Sequence, residues 1–298
     1  MGEANSQASS DVKAMMTTSD SPPLILVDAH VHIYDCFNLE AFLDSALKNF
    51  QASARQRGDV NHFQSTLLLT ETQSDHYFRQ LAQLAHQGNS SEQQKIGQWS
   101  IHATQEDCSL YLENSDGQGI YLIAGRQVVT AENLEVLALL TAQEFKDGSA
   151  LEDTIDAVIS SGGIPVIPWG FGKWIGHRGT ILTRLLDNNP FSALFLGDNG
   201  GRPVFWPMPP LFQQATQKGL QILPGTDPLP FADESRRPGS FGFAVEGQLN
   251  RERPAESLKQ MFLESTTSIQ SYGTREQPLR FLRNQVSMQI VKRTRSKA

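Results

Sequence analysis

Short apolar runs alternate along this chain with segments whose apolar residues recur every three or four positions. The first run, Leu24-Ile25-Leu26-Val27, has the unbroken apolar character of a strand covered on both faces. Leu39, Phe42, Leu43, Ala46, Leu47 and Phe50 then follow at helical spacing, with Asn38 placed to cap them. Thr66 to Glu71 reads as a second buried strand, and Ser74 to His86 as a helix. Gln98–His102, Cys108–Glu113 and Gly119–Ile123 are short and strand-like, separated by turn signals at Glu106-Asp107 and Ser115-Asp116-Gly117. They predict a small antiparallel insertion over about residues 88–119, whose last strand runs on unbroken from Ile120 to Val129. Leu134 to Thr141 gives another strand. Ser149 and Glu152 have capping-box spacing, and the helix they open stops at Gly162-Gly163. Strands at Ile164–Trp169, Ala193–Asp198 and Leu220–Asp227 alternate with helices at Thr180–Asp187 and Leu211–Lys218. Gly239 to Gly247 reads as a loop or short strand, and Pro254–Ile269 and Pro278–Lys292 read as helices.

The main strands begin near residues 24, 66, 120, 134, 164, 193 and 220, most of them joined by helical segments. Apolar strands alternating with helices imply an α/β protein whose parallel sheet is covered outside. The expected architecture is a distorted (β/α)7-type TIM-like barrel carrying the small antiparallel β insertion. It occupies residues 23–290 as one domain, between a polar tail (1–22) read as disordered and a basic tail (291–298). Several strands end in polar residues, which a barrel gathers at one mouth. An open doubly wound sheet would also carry ligands at its strand ends, but no Gly-x-Gly-x-x-Gly follows the first strand, so a dinucleotide site is not expected.

Composition narrows the function. The chain has 298 residues, 39% of them hydrophobic, enough for a sizeable core. Its net charge of −7 argues against nucleic acid as a partner. No run of 18 apolar residues offers a membrane span, and the first 22 residues hold no secretory pattern. The two cysteines, Cys36 and Cys108, build no disulfide framework and read as small buried hydrophobes. A cytoplasmic setting is the expectation.

The chemistry concentrates at Asp28-Ala29-His30-Val31-His32. On a strand, alternate side chains share a face, so Asp28, His30 and His32 point one way and Val27, Ala29 and Val31 the other. Two imidazoles aimed at one point from a strand end make half of a divalent-metal site, suited to zinc, iron or a similar ion.

The segment Val27-Asp28-Ala29-His30-Val31-His32 resembles the first motif of the PHP (polymerase and histidinol phosphatase) superfamily, within the wider amidohydrolase-like barrels. Gly125-Arg126-Gln127-Val128-Val129, Gly162-Gly163-Ile164-Pro165-Val166-Ile167-Pro168-Trp169 and Gly225-Thr226-Asp227-Pro228 are similar to later PHP motifs. The resemblance implies a distorted seven-stranded barrel and a metal-dependent phosphoesterase. Departures accompany it. The second-strand motif reads Thr70-Glu71-Thr72, Gln127 stands at the family's glutamate, and Trp169 and Pro228 stand where histidines are usual. Carried over residue by residue, His30, His32 and Asp227 remain as metal ligands, with Glu71 as a substitute. That implies one ion (zinc, manganese or iron) or none. Asp227 is also a candidate general base.

Two loops supply substrate-binding candidates. Gly170 to Gly179 combines glycines with Lys173, His177 and Arg178, suited to an anion such as phosphate. His177 is a candidate to return a ring nitrogen to the site, in a catalytic role. Asp198-Asn199-Gly200-Gly201-Arg202 offers Asn199 and Arg202. Val204 to Pro210, rich in aromatic residues and proline, is a candidate wall for the mouth. The leading expectation is therefore a hydrolase acting on a small anionic, phosphorylated substrate through activated water. The missing ligands keep open a catalytically decayed protein that binds or assembles. A C–N bond hydrolase of the amidohydrolase type shares the His-x-His pair and the late aspartate.

Overall fold

The computed structural model describes residues 23–58, 62–86, 95–188, 190–191, 193–264 and 267–295. The polar segment 1–22 and the last three residues of the basic tail lie outside them. Described instead as helix is the tail's first part, because the final helix runs to Arg295.

The strands divide into two sheets, not one barrel. In chain order, β1 (Leu24–Val31), β2 (Phe63–Leu69), β3 (Lys95–Ile96), β4 (Trp99–Ala103), β5 (Ser109–Glu113) and β6 (Gly119–Ile123) belong to the first. So do β12 (Phe241–Glu246) and β13 (Gln270–Gly273), giving eight strands in the order β13-β12-β1-β2-β6-β5-β4-β3. β7 (Gly125–Val129), β8 (Glu135–Leu139), β9 (Ile164–Pro168), β10 (Phe195–Asn199) and β11 (Ile222–Gly225) form the second, in the order β11-β10-β9-β8-β7. Pairing is mixed. β1–β2, β2–β6, β9–β10 and β10–β11 are parallel, whereas β1–β12, β7–β8 and β8–β9 are antiparallel. The expected closed (β/α)7 barrel is thus replaced by two sheets of mixed direction. The short strands β3 to β6 pair antiparallel, as expected, and form one edge of the larger sheet.

The long strand expected from Ile120 to Val129 breaks at Ala124, where the chain leaves one sheet for the other. Gly125 shows why. A Cβ there would sit 2.3 Å from the Leu69 carbonyl oxygen, so only glycine lets β7 pass the end of β2. At this seam Glu71 N–H donates to the Gly125 carbonyl at 3.1 Å, and Gln127 N–H to the Glu71 carbonyl at 2.9 Å. A second seam joins β11 to β1. There Asp227 N–H donates to the His30 carbonyl at 2.8 Å, beside Gly225, whose Cβ would meet His30 N at 2.3 Å.

Alternation along the smaller sheet feeds two cores. Leu137, Leu139, Ile164, Val166, Phe195 and Leu223 pack with the larger sheet. Val136, Ala138, Ile167 and Leu196 face outward onto α3 (Leu151–Ser160), α4 (Gly176–Asn188) and α5 (Pro210–Gln217). The larger sheet is covered by α1 (Leu39–Gln56), α2 (Tyr77–His86) and α6 (Pro254–Leu263). Asn38 caps α1 as expected, its Oδ1 accepting from Ala41 N–H at 2.9 Å. The capping box at Ser149 does not form. Helix α3 begins after Ala150 without a side-chain cap, and Glu132 Oε1 instead accepts from Leu151 N–H at 3.1 Å. The last helix, α7 (Pro278–Arg295), lies against the mouth where both sheets end. No helix among the described residues is long and apolar enough to cross a membrane. Cys108 is buried, and burial pushes its thiol up to about 12, so it is no nucleophile at neutral pH. Cys36 is exposed, against expectation.

Candidate metal centre

β1 carries a register shift between Asp28 and Val31, with His30 inside it, and His32 follows directly on the strand's end. Their Nε2 atoms lie 3.1 Å apart. Asp227, just past β11, places Oδ1 3.5 Å from His30 Nε2 and 3.6 Å from His32 Nε2. Two ligands at tetrahedral angles, each bonded at about 2.05 Å, stand about 3.4 Å apart. The trio therefore has the spacing of three ligands around one ion, and it is the metal-competent group among the described residues. Gln127 Oε1, 3.3 Å from His30 Nε2, adds a neutral fourth donor from β7. In the sequence Gln127 stands where the resembling family carries a glutamate. Its position became visible only when the Gly125 seam brought β7 alongside β1 and β2.

Asp28 belongs to the same motif but faces another task. Its Oδ1 accepts from Thr226 N–H at 2.8 Å and His30 N–H at 3.3 Å, its Oδ2 from Thr226 hydroxyl at 2.6 Å and Gly239 N–H at 2.9 Å. It is fully buried and staples β1 to the residue preceding Asp227. Burial pushes its pKa up to about 6 despite those four hydrogen bonds. His32 moves oppositely. Burial, then the charge of His30, lowers it to about 4, so its ring is neutral and able to ligate near pH 7. Tyr34 stacks on that ring, with centroids 5.6 Å apart. Asp227 is held below the ordinary carboxylate range. Burial raises it, but His30, His32, Lys173 and a hydrogen bond from Asn199 Nδ2 to Oδ2 together outweigh that. Its backbone sits at φ 47°, in the left-handed region that aspartate tolerates better than most residues.

His32 and Asp227 line a cleft of about 420 Å3, together with Gln127 and residues of α7. Lys173 and Asn199 reach this cleft. Lys173 pairs with Glu135, and Asn199 orients Asp227 instead of standing free for substrate. The other candidates do not converge. Glu71 is buried, but its Oε1 accepts from Phe78 N–H at 2.9 Å at the start of α2 and its Oε2 faces Arg126 at 3.5 Å. It is a helix-capping ion-pair residue and not a ligand of this centre. His177 lies exposed on the first turn of α4, outside the cleft lining. Arg178 donates to the carbonyls of Asn133 (3.2 Å) and Gly172 (2.8 Å), bracing the loop. Arg202 is buried in a two-point pair with Asp198, at 2.8 and 2.6 Å. Trp206, from the proline-rich stretch, stands behind the cleft, with its ring 6.3 Å from Trp169 and 5.6 Å from Phe171.

Sequence reasoning missed the α7 wall, including Phe281, Asn284 and Met288, and also Arg237. Nothing local in those segments marks them, because their placement depends on how α7 closes over two sheets. No protein-family model matches the chain, and no curated protein does. Among solved structures, PsfC from Pseudomonas syringae PB-5123 is similar, with a TM-score of 0.53 and 15% identity over 90% of this chain and 99% of that one. At that identity the likeness is one of fold.

Proposed function

We propose that this protein is a metal-dependent hydrolase with one divalent ion, and that it cleaves a phosphoester. The observation that carries this is the convergence of His30 Nε2, His32 Nε2 and Asp227 Oδ1 to within 3.6 Å of one another, with His32 and Asp227 lining a cleft. The resemblance of Val27–His32 to the first PHP motif points the same way, as does the neutral state of His32. His30, His32 and Asp227 would hold the ion, with Gln127 Oε1 as a fourth, uncharged donor. Zinc, manganese or iron bound there supplies Lewis acidity and lowers the pKa of a water toward 7.

The chain's own residues do the rest. Asp227 is fixed by Asn199; in place of binding the ion it can alternatively orient the attacking water and accept its proton. Lys173, within the same cleft, is placed to offset negative charge that builds during phosphoryl transfer. Glu135 holds that lysine and also accepts from Gln127 Nε2 at 3.3 Å, which ties the cation to the fourth donor. Trp169 and the adjoining aromatic residues limit water on one side.

Metal content by elemental analysis of protein grown with zinc, manganese and iron tests the reading, together with a phosphatase screen in each metal. One ion per chain, lost in His30→Ala and Asp227→Ala together with phosphate release, is the expected result. Protein that takes up none of these ions and releases no phosphate would sink it.

A further inference from the structure

A second cavity, of about 550 Å3, gathers Arg236, Arg237, Arg275, Arg280 and Arg283. Five guanidinium groups meet there in a chain whose net charge is −7. They come from three places: the 3-10 turn Ala232–Arg236 with the residue after it, the segment following β13, and the start of α7. The backbone that carries them is braced. Asn49 Nδ2 donates to the carbonyls of Arg236 and Pro238, both at 2.9 Å. Val204 N–H donates to the Glu276 carbonyl at 2.9 Å, and Arg275 Nη1 to the Trp206 carbonyl at 3.3 Å.

Carboxylates answer three of the five. Asp233 holds Arg283 at 2.6 Å, Glu234 holds Arg280 at 2.8 Å and Glu276 holds Arg237 at 2.6 Å. Among the described residues, Arg236 and Arg275 have no carboxylate within ion-pair distance. Arg236 is exposed and Arg275 half-buried, so both keep surface that a ligand can reach. Asp198 acts on Arg275 only from beyond that distance, and Arg202 already holds it in a two-point pair. Burial, then the charge of Arg202, depresses Arg275 below the ordinary arginine value, as expected of a cation short of an anion. The remaining polar groups of the lining add donors, since Ser240 and Thr274 offer hydroxyls and Gln277 an amide. Helix α7 starts beside Gln277 with no acidic residue in its first turn, so the positive end of its dipole is not offset there.

We propose that this cavity binds a diphosphate group, with Arg236 and Arg275 as its principal donors. Two uncommitted guanidinium groups on separate segments match two phosphoryl groups, and each presents a planar fork of N–H donors to phosphate oxygens. Arg237 and Glu276 line both this cavity and the cleft, so the two sites are neighbours. The diphosphate site uses none of His30, His32 and Asp227 and stands whether or not the hydrolase reading does.

The test titrates inorganic diphosphate, and separately inorganic phosphate, into the full chain by calorimetry without added divalent metal. Salt is held at about 0.15 M, which screens loose attraction to exposed charge. The expected result is one diphosphate per chain, bound at least about tenfold more tightly than phosphate, because a second phosphoryl group adds charge-assisted hydrogen bonds. The double variant Arg236→Ala with Arg275→Ala should lose at least about tenfold in diphosphate affinity. It strands no carboxylate, and circular dichroism checks its fold. Arg55→Ala with Arg184→Ala removes the same charge from exposed arginines outside the cavity lining and should change affinity by less than about twofold. His30→Ala should bind diphosphate as the wild type does, which separates this site from the metal centre. No binding of diphosphate by the wild type at millimolar concentration overturns the proposal, as does equal affinity for phosphate. An equal loss in the two double variants overturns it too, since general charge would then be the cause, and so does a loss in His30→Ala.

Discussion

Asp28 and His32 sit four positions apart at one strand end and titrate in opposite senses. Asp28 rises to about 6 on folding, so its protonated form is favoured in the folded state. Its contribution is full below about pH 3.8 and disappears as pH climbs through 6. His32 falls to about 4, so the unfolded chain binds its proton more readily. Its contribution is present above about pH 6.5 and is lost on acidification toward 4. Between pH 4 and 6 the two slopes oppose each other. Urea midpoints of the metal-free protein should therefore rise more steeply with pH over this range in Asp28→Asn than in the wild type. In His32→Gln they should rise less or fall. Asp227 allows a further prediction at this scale. Its φ of 47° strains any side chain, so Asp227→Gly should melt at or above the wild-type temperature while binding no metal. A melting point several degrees lower would show that the carboxylate's contacts outweigh the backbone term. His30, His32 and Asp227 were legible because a two-residue repeat and a strand-end carboxylate are local signals. The role of Asp28 was not, since its partners Thr226 and Gly239 are remote in sequence.

At the level of elements, two glycines decide where strands pass one another. Gly225→Ala would force a methyl group to within 2.3 Å of His30 N, in backbone that has no room to yield. Overpacking of this kind costs about 1–3 kcal/mol, and the strain falls on His30, a ligand of the proposed metal centre. The expected outcome is a lower urea midpoint and at least about tenfold weaker zinc binding, measured by competition with a chelator. The start of α3 gives a milder case. Glu132 replaces the missing cap, so Glu132→Ala should cost about 1 kcal/mol, whereas Ser149→Ala should be close to neutral. Most strands and helices could be read from periodicity, with ends displaced by a few residues. The break at Ala124 could not, although glycine within an apolar run is the signal that a backbone comes close. Reading Ile120 to Val129 as one strand made a continuous parallel barrel plausible, and it is that reading which the two sheets correct.

For the whole molecule, the sheets share a core, because residues from the inner face of β8 to β11 pack with the larger sheet. Trp99 is fully buried on the side of the larger sheet, its Nε1 bonded to Asp44 at 2.8 Å, and Trp174 packs in the outer cluster of the smaller one. Variants retaining either tryptophan alone should report the same urea midpoint, since the inner core that the two sheets share couples their unfolding. Midpoints that separate would mean that the sheets melt independently. Strand directions and the α7 wall, which no short stretch of sequence encodes, emerge only at this scale.

The centre also straddles the join. His30 and His32 come from the larger sheet, while Asp227 and Gln127 come from the smaller one. An ion bound there, as proposed, would act as a rivet through two plates. At a hundred times its dissociation constant it would add about 2.7 kcal/mol to the folded state. Starving the cell of that metal would then cost the protein its rigidity along with its chemistry, and its abundance would track the metal supply.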